Sequence, residues 1–237
     1  MKYEVILFDA DDTLFDYGQA EKHALASAFA HYGMEDGAER YKESYKTINS
    51  GLWRDLEQGL INSVDLRVER FRRLFAENGL ELAPEAFSET YLLALGQGSF
   101  LIEGAEELCE RLGICRLAII TNGIKDVQLS RIAGSPLHST FGHVIISEEA
   151  GSQKPERGIF DYAFAKLGLT DADKSKVLIV GDSLSSDIQG GNNYGIDTCW
   201  YNPHGKHNET GIVPTYEIAS LPGLFAVLEE VNDGLKG

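Results

Sequence analysis

Long apolar runs, cysteine and positive charge are all scarce in this sequence. No apolar run approaches the roughly twenty residues that a membrane-spanning helix needs, which argues against a membrane partner. The stretch before Asp9 lacks the apolar centre and cleavage site of a secretory signal. The 3 cysteines are an odd number and indicate buried thiols rather than a disulfide framework. These absences together predict a cytoplasmic protein.

Positive charge is outnumbered, with 21 Lys and Arg against 37 Asp and Glu and a formal net charge of −16. Binding to a nucleic-acid polymer depends on neutralising its phosphates with Lys and Arg, so this class of partner is not expected. A small phosphate is not excluded. A metal ion held by carboxylates can reverse the sign of the local field.

The most informative stretch lies near the N-terminus. Residues 5–8 are four consecutive apolar residues, and Asp9 and Asp11 follow them directly. An unbroken apolar run of this length is typical of a buried parallel strand. If residues 9–11 continue extended, the two carboxylates point the same way. Ligands bind at the carboxyl ends of strands in open α/β sheets, so this acidic pair is a candidate site.

Helical spacing dominates the next part of the chain. Apolar residues recur at helical intervals between residues 17 and 96, with no strand pattern among them. Gly33 and Gly79 are placed to end helices, and Pro84 suits the first turn of another. We therefore predict an all-helical domain at 17–96, inserted into a domain formed by 1–16 and 97–237.

From residue 100 onward, helix and strand patterns alternate. This alternation predicts an α/β fold, a doubly wound parallel sheet of the Rossmann-like kind, which also includes residues 5–8. The stretch 202–214 reads as a loop. Strands are expected at 117–120, 144–146, 177–180 and, as the last, 198–201; helices are expected at 105–112, 125–132, 156–167, 185–194 and 221–231.

Each of four predicted strands is followed by a distinctive polar group. Because parallel strands end at one edge of a sheet, these groups can converge on one crevice. They are Asp9 and Asp11, Thr121 and Asn122, Lys154, and Asp182 with Asp187.

This set of residue types suits phosphoryl transfer through an aspartyl-phosphate. A carboxylate such as Asp9 is ionised at neutral pH and can attack phosphorus without a base. A departing alkoxide must be protonated, which requires a second carboxyl group that is kept neutral until it is needed. Asp11 is the candidate, since a neighbouring carboxylate raises a carboxyl pKa. Asp9 and Asp11 are thus the predicted catalytic residues.

The remaining members of the set predict phosphate and metal binding. The Thr121 hydroxyl, the amides after it at Asn122, and the Lys154 ammonium can hold the phosphoryl oxygens. Asp182, supported by Asp187, would hold Mg²⁺ beside Asp9, because hard oxygen ligands suit this ion.

These four motifs, in this order, resemble those of the haloacid dehalogenase (HAD) superfamily. The resemblance implies a HAD core with a helical cap, and metal binding by Asp9, the backbone carbonyl of Asp11, and Asp182. A second acid at Asp11 is typical of the phosphotransferase branch. Shorter segments resemble the bacterial pyrimidine 5′-nucleotidases that also act on non-canonical nucleotides in a house-cleaning role. They are 51–53, 59–61, 70–71, 147–149 and 198–202.

That resemblance predicts a Mg²⁺-dependent phosphatase whose substrate is a small phosphate monoester, a nucleoside 5′-monophosphate. Three aromatic residues could stack on the base: Phe15, Tyr17 and Trp53. Each could instead be core, as a Trp in a helical bundle usually is. Arg70 is expected to pair with a carboxylate of the helical insertion. The expected assembly state is a monomer or a weak dimer.

Two alternatives stay open. A sugar-phosphate phosphatase or phosphoglucomutase of the same superfamily would share every core motif, because the cap selects the substrate. A non-enzymatic phospho-acceptor switch of the response-regulator type also places acids, a Thr and a Lys at strand ends. There, however, the acceptor Asp lies mid-chain behind an acidic pair, and a helical insertion has no role.

Overall fold

A computed structural model describes residues 2–234, with side chains as far as Glu229. The chain forms two compact units. The first comprises the chain up to Asp16, Phe100–Lys125, and the chain from Ile132 onward. The second comprises Tyr17–Ser99 and Asp126–Arg131.

The first unit contains a parallel sheet with the order β3-β2-β1-β4-β5-β6. Strand β1 lies in the interior between β2 and β4, which explains why its residues are apolar without alternation. The predicted doubly wound sheet is confirmed. The strands are β1 (Val5–Phe8), β2 (Arg116–Thr121), β3 (His143–Ile146), β4 (Val177–Gly181), β5 (Asp197–Tyr201) and β6 (Tyr216–Ile218).

Helices join these strands and form the second unit. In chain order they are α1 (Tyr17–His31), α2 (Gly37–Arg40), α3 (Lys42–Glu57), α4 (Ser63–Asn78), α5 (Pro84–Gln97), α6 (Ala105–Arg111), α7 (Lys125–Ala133), α8 (Ser147–Ala150), α9 (Arg157–Leu167), α10 (Gln189–Tyr194) and α11 (Gly223–Gly234). Within the described residues, none of them is long and apolar enough to cross a bilayer.

Helices cover both faces of the sheet. Successive residues of a strand point to opposite faces, so Ile6 and Phe8 enter one core while Val5 and Leu7 enter another. The first core is completed by α6 and α11, and the second by α9. The carboxyl edge of the sheet is thereby left for polar loops.

Three features of the first unit differ from the predictions. Strand β5 is not the last, because β6 follows it; a strand of three residues is too short for a periodic pattern. The short helix α8 was missed for the same reason. The predicted helix at 185–194 begins instead with a π-helical turn at Leu184–Ile188 and continues as α10.

The second unit is a helical bundle with an aromatic core. The rings of Phe71 and Phe87 lie 4.8 Å apart, and so do those of Phe29 and Phe87. Gly79 ends α4 in the left-handed conformation and Pro84 opens α5, as the sequence predicts. Residues 17–99 contain no strand, although the short α2 was not anticipated.

The division of the chain differs in detail from the predicted boundaries. Residues 97–99 and 126–131, predicted to lie in the sheet domain, pack with the helical unit. The Arg131 Nε donates to the Gly98 carbonyl at 3.2 Å, and the Ser99 hydroxyl donates to the Arg131 carbonyl at 2.9 Å. The assignment of these units as catalytic core and cap stays a prediction.

Candidate active site

The polar residues predicted to converge do follow neighbouring strands at one edge of the sheet. Asp9 follows β1, Thr121 ends β2, and Asp182 follows β4. These three strands are adjacent and parallel. The first unit therefore brings the predicted groups together through its topology.

Lys154 is the centre of the site and is only 1% exposed. Its ammonium donates to Asp9 Oδ1 at 2.6 Å, to Asp187 Oδ1 at 2.7 Å and to the Ile120 carbonyl at 2.8 Å. Burial lowers the pKa of Lys154, but the carboxylates of Asp187 and Asp9 outweigh it, so the pKa is raised. Lys154 is therefore a permanently charged group whose three donors all have acceptors.

Asn122 positions this lysine from the end of β2. Its Nδ2 donates to the Lys154 carbonyl at 2.9 Å, and its Oδ1 accepts from the Lys154 backbone N–H at 2.8 Å. Both ends of the amide are thus used to hold the Lys154 backbone. Because the side chain is used in this way, the predicted phosphate binding by Asn122 would be made by its backbone N–H.

Asp187 was predicted only to support the metal site, but the structure places its carboxylate in the buried interior of the site. Its carboxylate is 1% exposed and accepts from the Ser183 backbone N–H at 3.1 Å as well as from Lys154. Gly181 makes this position possible, because a Cβ there would overlap the Asp187 carboxylate. The π-helical turn that carries Asp187 is a feature often found at functional sites.

Three carboxylates form a cluster that fits a divalent cation. Oxygens of Asp9, Asp182 and Asp187 lie within 4.8 Å of one another. Burial raises the pKa of Asp9 and that of Asp182, the latter to about 7, and the neighbouring carboxylates add to both shifts. Hard oxygen donors in excess of positive charge are the donor set that Mg²⁺ prefers. The side chain of Asp11 is not part of this cluster.

Asp11 lies in a tight loop rather than in a continued strand. Strand β1 ends at Phe8, and the backbone N–H groups of Leu14 and Phe15 both donate to the Ala10 carbonyl, at 3.0 and 2.9 Å. Residues 9–11 are therefore not part of the sheet, and the predicted common orientation of the two carboxylates stays a prediction. The charge of Asp11 nevertheless contributes to the raised pKa of Asp9, so the two acids are electrostatically coupled.

Two supporting residues were missed by the sequence reasoning. The Thr13 hydroxyl is fully buried and donates to Asp9 Oδ2 at 3.4 Å. The Trp200 indole donates to the Asp182 carbonyl at 2.9 Å and so fixes the backbone beside the carboxylate cluster. The position of Thr13, four residues after Asp9, offered a signal for its role. No local sequence pattern indicated the role of Trp200.

Thr121 lies where the phosphate-binding prediction requires a hydroxyl. It is 1% exposed, and its Oγ1 accepts from the Gly123 backbone N–H at 2.9 Å. This contact leaves the hydroxyl proton available for a phosphoryl oxygen.

The three aromatic candidates have different surroundings. Phe15 is 0% exposed in the core of the first unit, which argues against its predicted stacking on a base. Trp53 packs against the apolar cluster of Leu52, Leu56 and Leu66 in the second unit. Tyr17 is partly exposed, but its hydroxyl is buried. For Tyr17 and Trp53 a role in specificity stays a prediction.

A family model for haloacid dehalogenase-like hydrolases matches residues 3–195. The chain belongs to this family. The resemblance identified from the four motifs is thereby confirmed.

Relatives of this HAD-family chain match nearly its whole length. It is 40% identical to pyrimidine 5′-nucleotidase PynA of Streptococcus pneumoniae, across 97% of each protein. It is 37% identical to pyrimidine 5′-nucleotidase YjjG of Escherichia coli, across 96% of this chain and 99% of YjjG. The HAD-hydrolase YfnB of Bacillus subtilis, whose crystal structure is bound to magnesium, matches with a TM-score of 0.87 at 38% identity; the match covers 96% of this chain and 99% of YfnB.

Proposed function

We propose that this HAD-family hydrolase is a Mg²⁺-dependent phosphatase that acts on nucleoside 5′-monophosphates, with pyrimidine and non-canonical nucleotides preferred. The observation that carries the proposal is the Asp9 carboxylate, held 2.6 Å from the Lys154 ammonium within a cluster of three acids. The nucleotidase names of two relatives at 37% and 40% identity support the substrate class. A house-cleaning enzyme of this kind would work in the cytoplasm.

In the first step, an oxygen of Asp9 attacks the phosphorus of the monoester. The bond from phosphorus to the ester oxygen breaks, and that oxygen takes the proton of the Asp11 carboxyl group and leaves as the nucleoside hydroxyl. Lys154 and the Thr121 hydroxyl stabilise the charge on the equatorial oxygens of the transferring group.

In the second step, water attacks the phosphorus of the aspartyl-phosphate and gives its proton to Asp11. The bond between phosphorus and Asp9 breaks, inorganic phosphate leaves, and both carboxyl groups return to their starting states. Asp9, the backbone carbonyl of Asp11 and Asp182 would hold Mg²⁺, with Asp187 in support. The ion would supply the positive charge that lets an anionic nucleophile approach an anionic phosphate.

The roles of Asp9 and Asp11 as nucleophile and acid make a direct experiment possible. The Asp9→Asn variant keeps the size of the side chain but removes the attacking charge, so it should be folded and lose at least ~10³-fold in kcat. Phosphate release from UMP with Mg²⁺ measures this loss. The control is Asp161→Asn, which removes an exposed carboxylate on α9 of the same unit and should leave turnover unchanged.

The substrate class is tested with the wild-type protein. We expect kcat/KM for dUMP, dTMP and UMP to exceed the values for hexose phosphates and purine nucleotides, and excess EDTA to abolish turnover until Mg²⁺ is restored. A preference for a hexose phosphate would contradict the nucleotidase assignment alone. Near-normal turnover by Asp9→Asn would contradict the mechanism itself.

A further inference from the structure

Two of the three acids in the carboxylate cluster have side chains that are held by hydrogen bonds. The Asp9 carboxylate accepts from the Lys154 ammonium at 2.6 Å and from the Thr13 hydroxyl at 3.4 Å. The Asp187 carboxylate accepts from the Lys154 ammonium at 2.7 Å and from the Ser183 backbone N–H at 3.1 Å. The direction of each of these carboxylates is therefore set by donors that contact it.

Asp182 differs from the other two acids. Within the part of the chain that the structure describes, no donor makes a hydrogen bond to its carboxylate. It is also the one acid of the three that is partly exposed. The direction of the Asp182 carboxylate therefore depends on the backbone that carries it.

The indole of Trp200 holds that backbone. Its Nε1 donates to the Asp182 carbonyl at 2.9 Å, and Trp200 is 3% exposed. Strand β5 pairs with β4 in a register that places Trp200 opposite Gly181, the residue before Asp182. Because the sheet fixes the Trp200 backbone and burial fixes its ring, the indole N–H is a rigid donor.

A single peptide group connects this indole to the carboxylate cluster. The carbonyl of Asp182 and the N–H of Ser183 belong to the same planar group. Its oxygen accepts from Trp200, while its N–H donates to the Asp187 carboxylate. In a trans peptide group these two bonds leave on opposite sides, so the plane cannot rotate without breaking one of them. Loss of the indole donor would leave one bond to fix the plane.

We propose that Trp200 is a positioning residue for the metal ion: its indole N–H fixes the peptide group of Asp182 and thereby directs the Asp182 carboxylate at the cation. The inference rests on the proposed Mg²⁺-dependent function. Groups that orient the ligands of a metal contribute about tenfold or more to its affinity, although they do not contact it.

The test is Trp200→Phe, which keeps an aromatic ring in the buried space and removes the N–H. We expect the Kd for Mg²⁺, measured by calorimetry on the whole chain without substrate, to rise about tenfold. The Mg²⁺ concentration that gives half-maximal turnover of UMP should rise by a similar factor. At saturating Mg²⁺, kcat should stay within about twofold of wild type, because Asp9 and Asp11 are unchanged.

The matched control is Tyr3→Phe. Tyr3 is 1% exposed and donates its hydroxyl to Asp197 Oδ2 at 2.5 Å, and Asp197 is the first residue of β5. This variant also removes a donor from a buried aromatic ring, but at the amino end of the same strand. Both variants should lower the midpoint of urea unfolding, and only Trp200→Phe should weaken Mg²⁺ binding.

A second form of the test keeps the shape of the ring. The chain has 2 tryptophans, so in a Trp53→Phe background a tryptophan analogue enters at position 200 alone. Benzothienylalanine, in which sulfur replaces the indole N–H, should weaken Mg²⁺ binding as Trp200→Phe does. The analogue 7-azatryptophan keeps the N–H and should bind Mg²⁺ as tightly as the tryptophan form of that background.

Unchanged Mg²⁺ affinity in Trp200→Phe or in the benzothienylalanine protein would overturn the positioning role of Trp200. Equal weakening by Tyr3→Phe would overturn it as well, since the effect would then follow from stability in general. Failure of the underlying function would look different, because the wild type itself would then bind no Mg²⁺ and release no phosphate from UMP.

Discussion

Both units of the molecule bury long cationic side chains, and two of these, Lys154 and Arg70, have different partners. Lys154, 1% exposed in the first unit, lies within 2.7 Å of both Asp9 and Asp187. Arg70, 0% exposed in the second unit, donates from Nη1 to Asn49 Oδ1 at 3.4 Å. One cation faces carboxylates, and the other faces a neutral amide.

The surroundings of Arg70 are those of a packed core. Its guanidinium lies 5.2 Å from the centre of the Tyr91 ring, and the Tyr45 and Tyr91 hydroxyls are 2.9 Å apart. Asn49 in turn donates to Glu21 at 2.9 Å, so Arg70 is connected to a carboxylate through an amide. The expectation that Arg70 pairs directly with a carboxylate is not met.

This comparison shows that burial of a cation does not by itself indicate a catalytic group. A single ammonium among three carboxylates, two of them buried, leaves an excess of negative charge that a metal ion or a reaction can use. A guanidinium among rings, hydroxyls and an amide joins α3, α4 and α5 without any such excess. We therefore expect substitution at Lys154 to affect turnover and substitution at Arg70 to affect stability.

The largest effect is expected from Lys154→Met, which keeps the length of the side chain and removes its charge. If Lys154 stabilises the transferring phosphoryl group as proposed, its loss should lower kcat for UMP by about 10³-fold. Circular dichroism should show a folded protein, because Asp9 or Asp187 can take up a proton, which neutralises one charge of the pair and relieves their repulsion.

The matched control for this variant is Lys125→Met, which removes a half-exposed partner of Glu149 from the same unit. It should keep wild-type turnover. A kcat for Lys154→Met within tenfold of the wild-type value would contradict the proposed catalytic role that distinguishes Lys154 from Arg70.

The next effect is on stability. Arg70→Met should lower the free energy of unfolding by about 3 kcal/mol, since Asn49 loses a buried donor and the contact with Tyr91 is lost. The midpoint of urea unfolding measures it. At temperatures where the variant is folded, kcat for p-nitrophenyl phosphate should be unchanged.

Arg72→Met, on the exposed face of the same helix, is the control and should leave the urea midpoint where it is. If Arg70→Met instead lost turnover at unchanged stability, the Arg70 guanidinium would have a functional role like that proposed for Lys154, and the contrast between the two residues would be wrong.

The smallest effect is expected from a substitution that displaces one of the carboxylate partners of Lys154. Gly181→Ala introduces a methyl group into the space of the Asp187 carboxylate and should displace it from Lys154. We expect kcat to fall about tenfold to a hundredfold, in line with the loss of one positioned group. Gly142→Ala, where a Cβ meets no atom within 4 Å, should be silent in the same assay.

Much of the first unit could be predicted because a parallel strand that is buried on both faces consists of consecutive apolar residues. The run at β1 and the polar residues after β1, β2 and β4 located the candidate site by topology alone. Lys154 needed no strand pattern. Its position after the third strand and before a proline sufficed to mark it.

The parts that could not be predicted depend on contacts between residues distant in sequence. The bonds between Asn122 and Lys154 span 32 positions, and the Trp200 contact with the Asp182 carbonyl spans 18. Phe15 was proposed for base stacking because an aromatic type alone does not distinguish a core position from a binding position. Its burial could be read only from the fold.

The connection at the boundary of the helical insertion has a consequence for how such proteins diversify. Asp16 donates to the Phe100 carbonyl at 3.0 Å, Ile102 donates to the Leu14 carbonyl at 2.9 Å, and Phe15 pairs with Leu101 in an antiparallel bridge. The chain therefore leaves and re-enters the first unit through a short two-stranded stem whose ends are held side by side. A recombination event that exchanged everything between the two arms of this stem would preserve the path of every strand of the sheet. The stem thus separates the fold of the sheet from the identity of the insert.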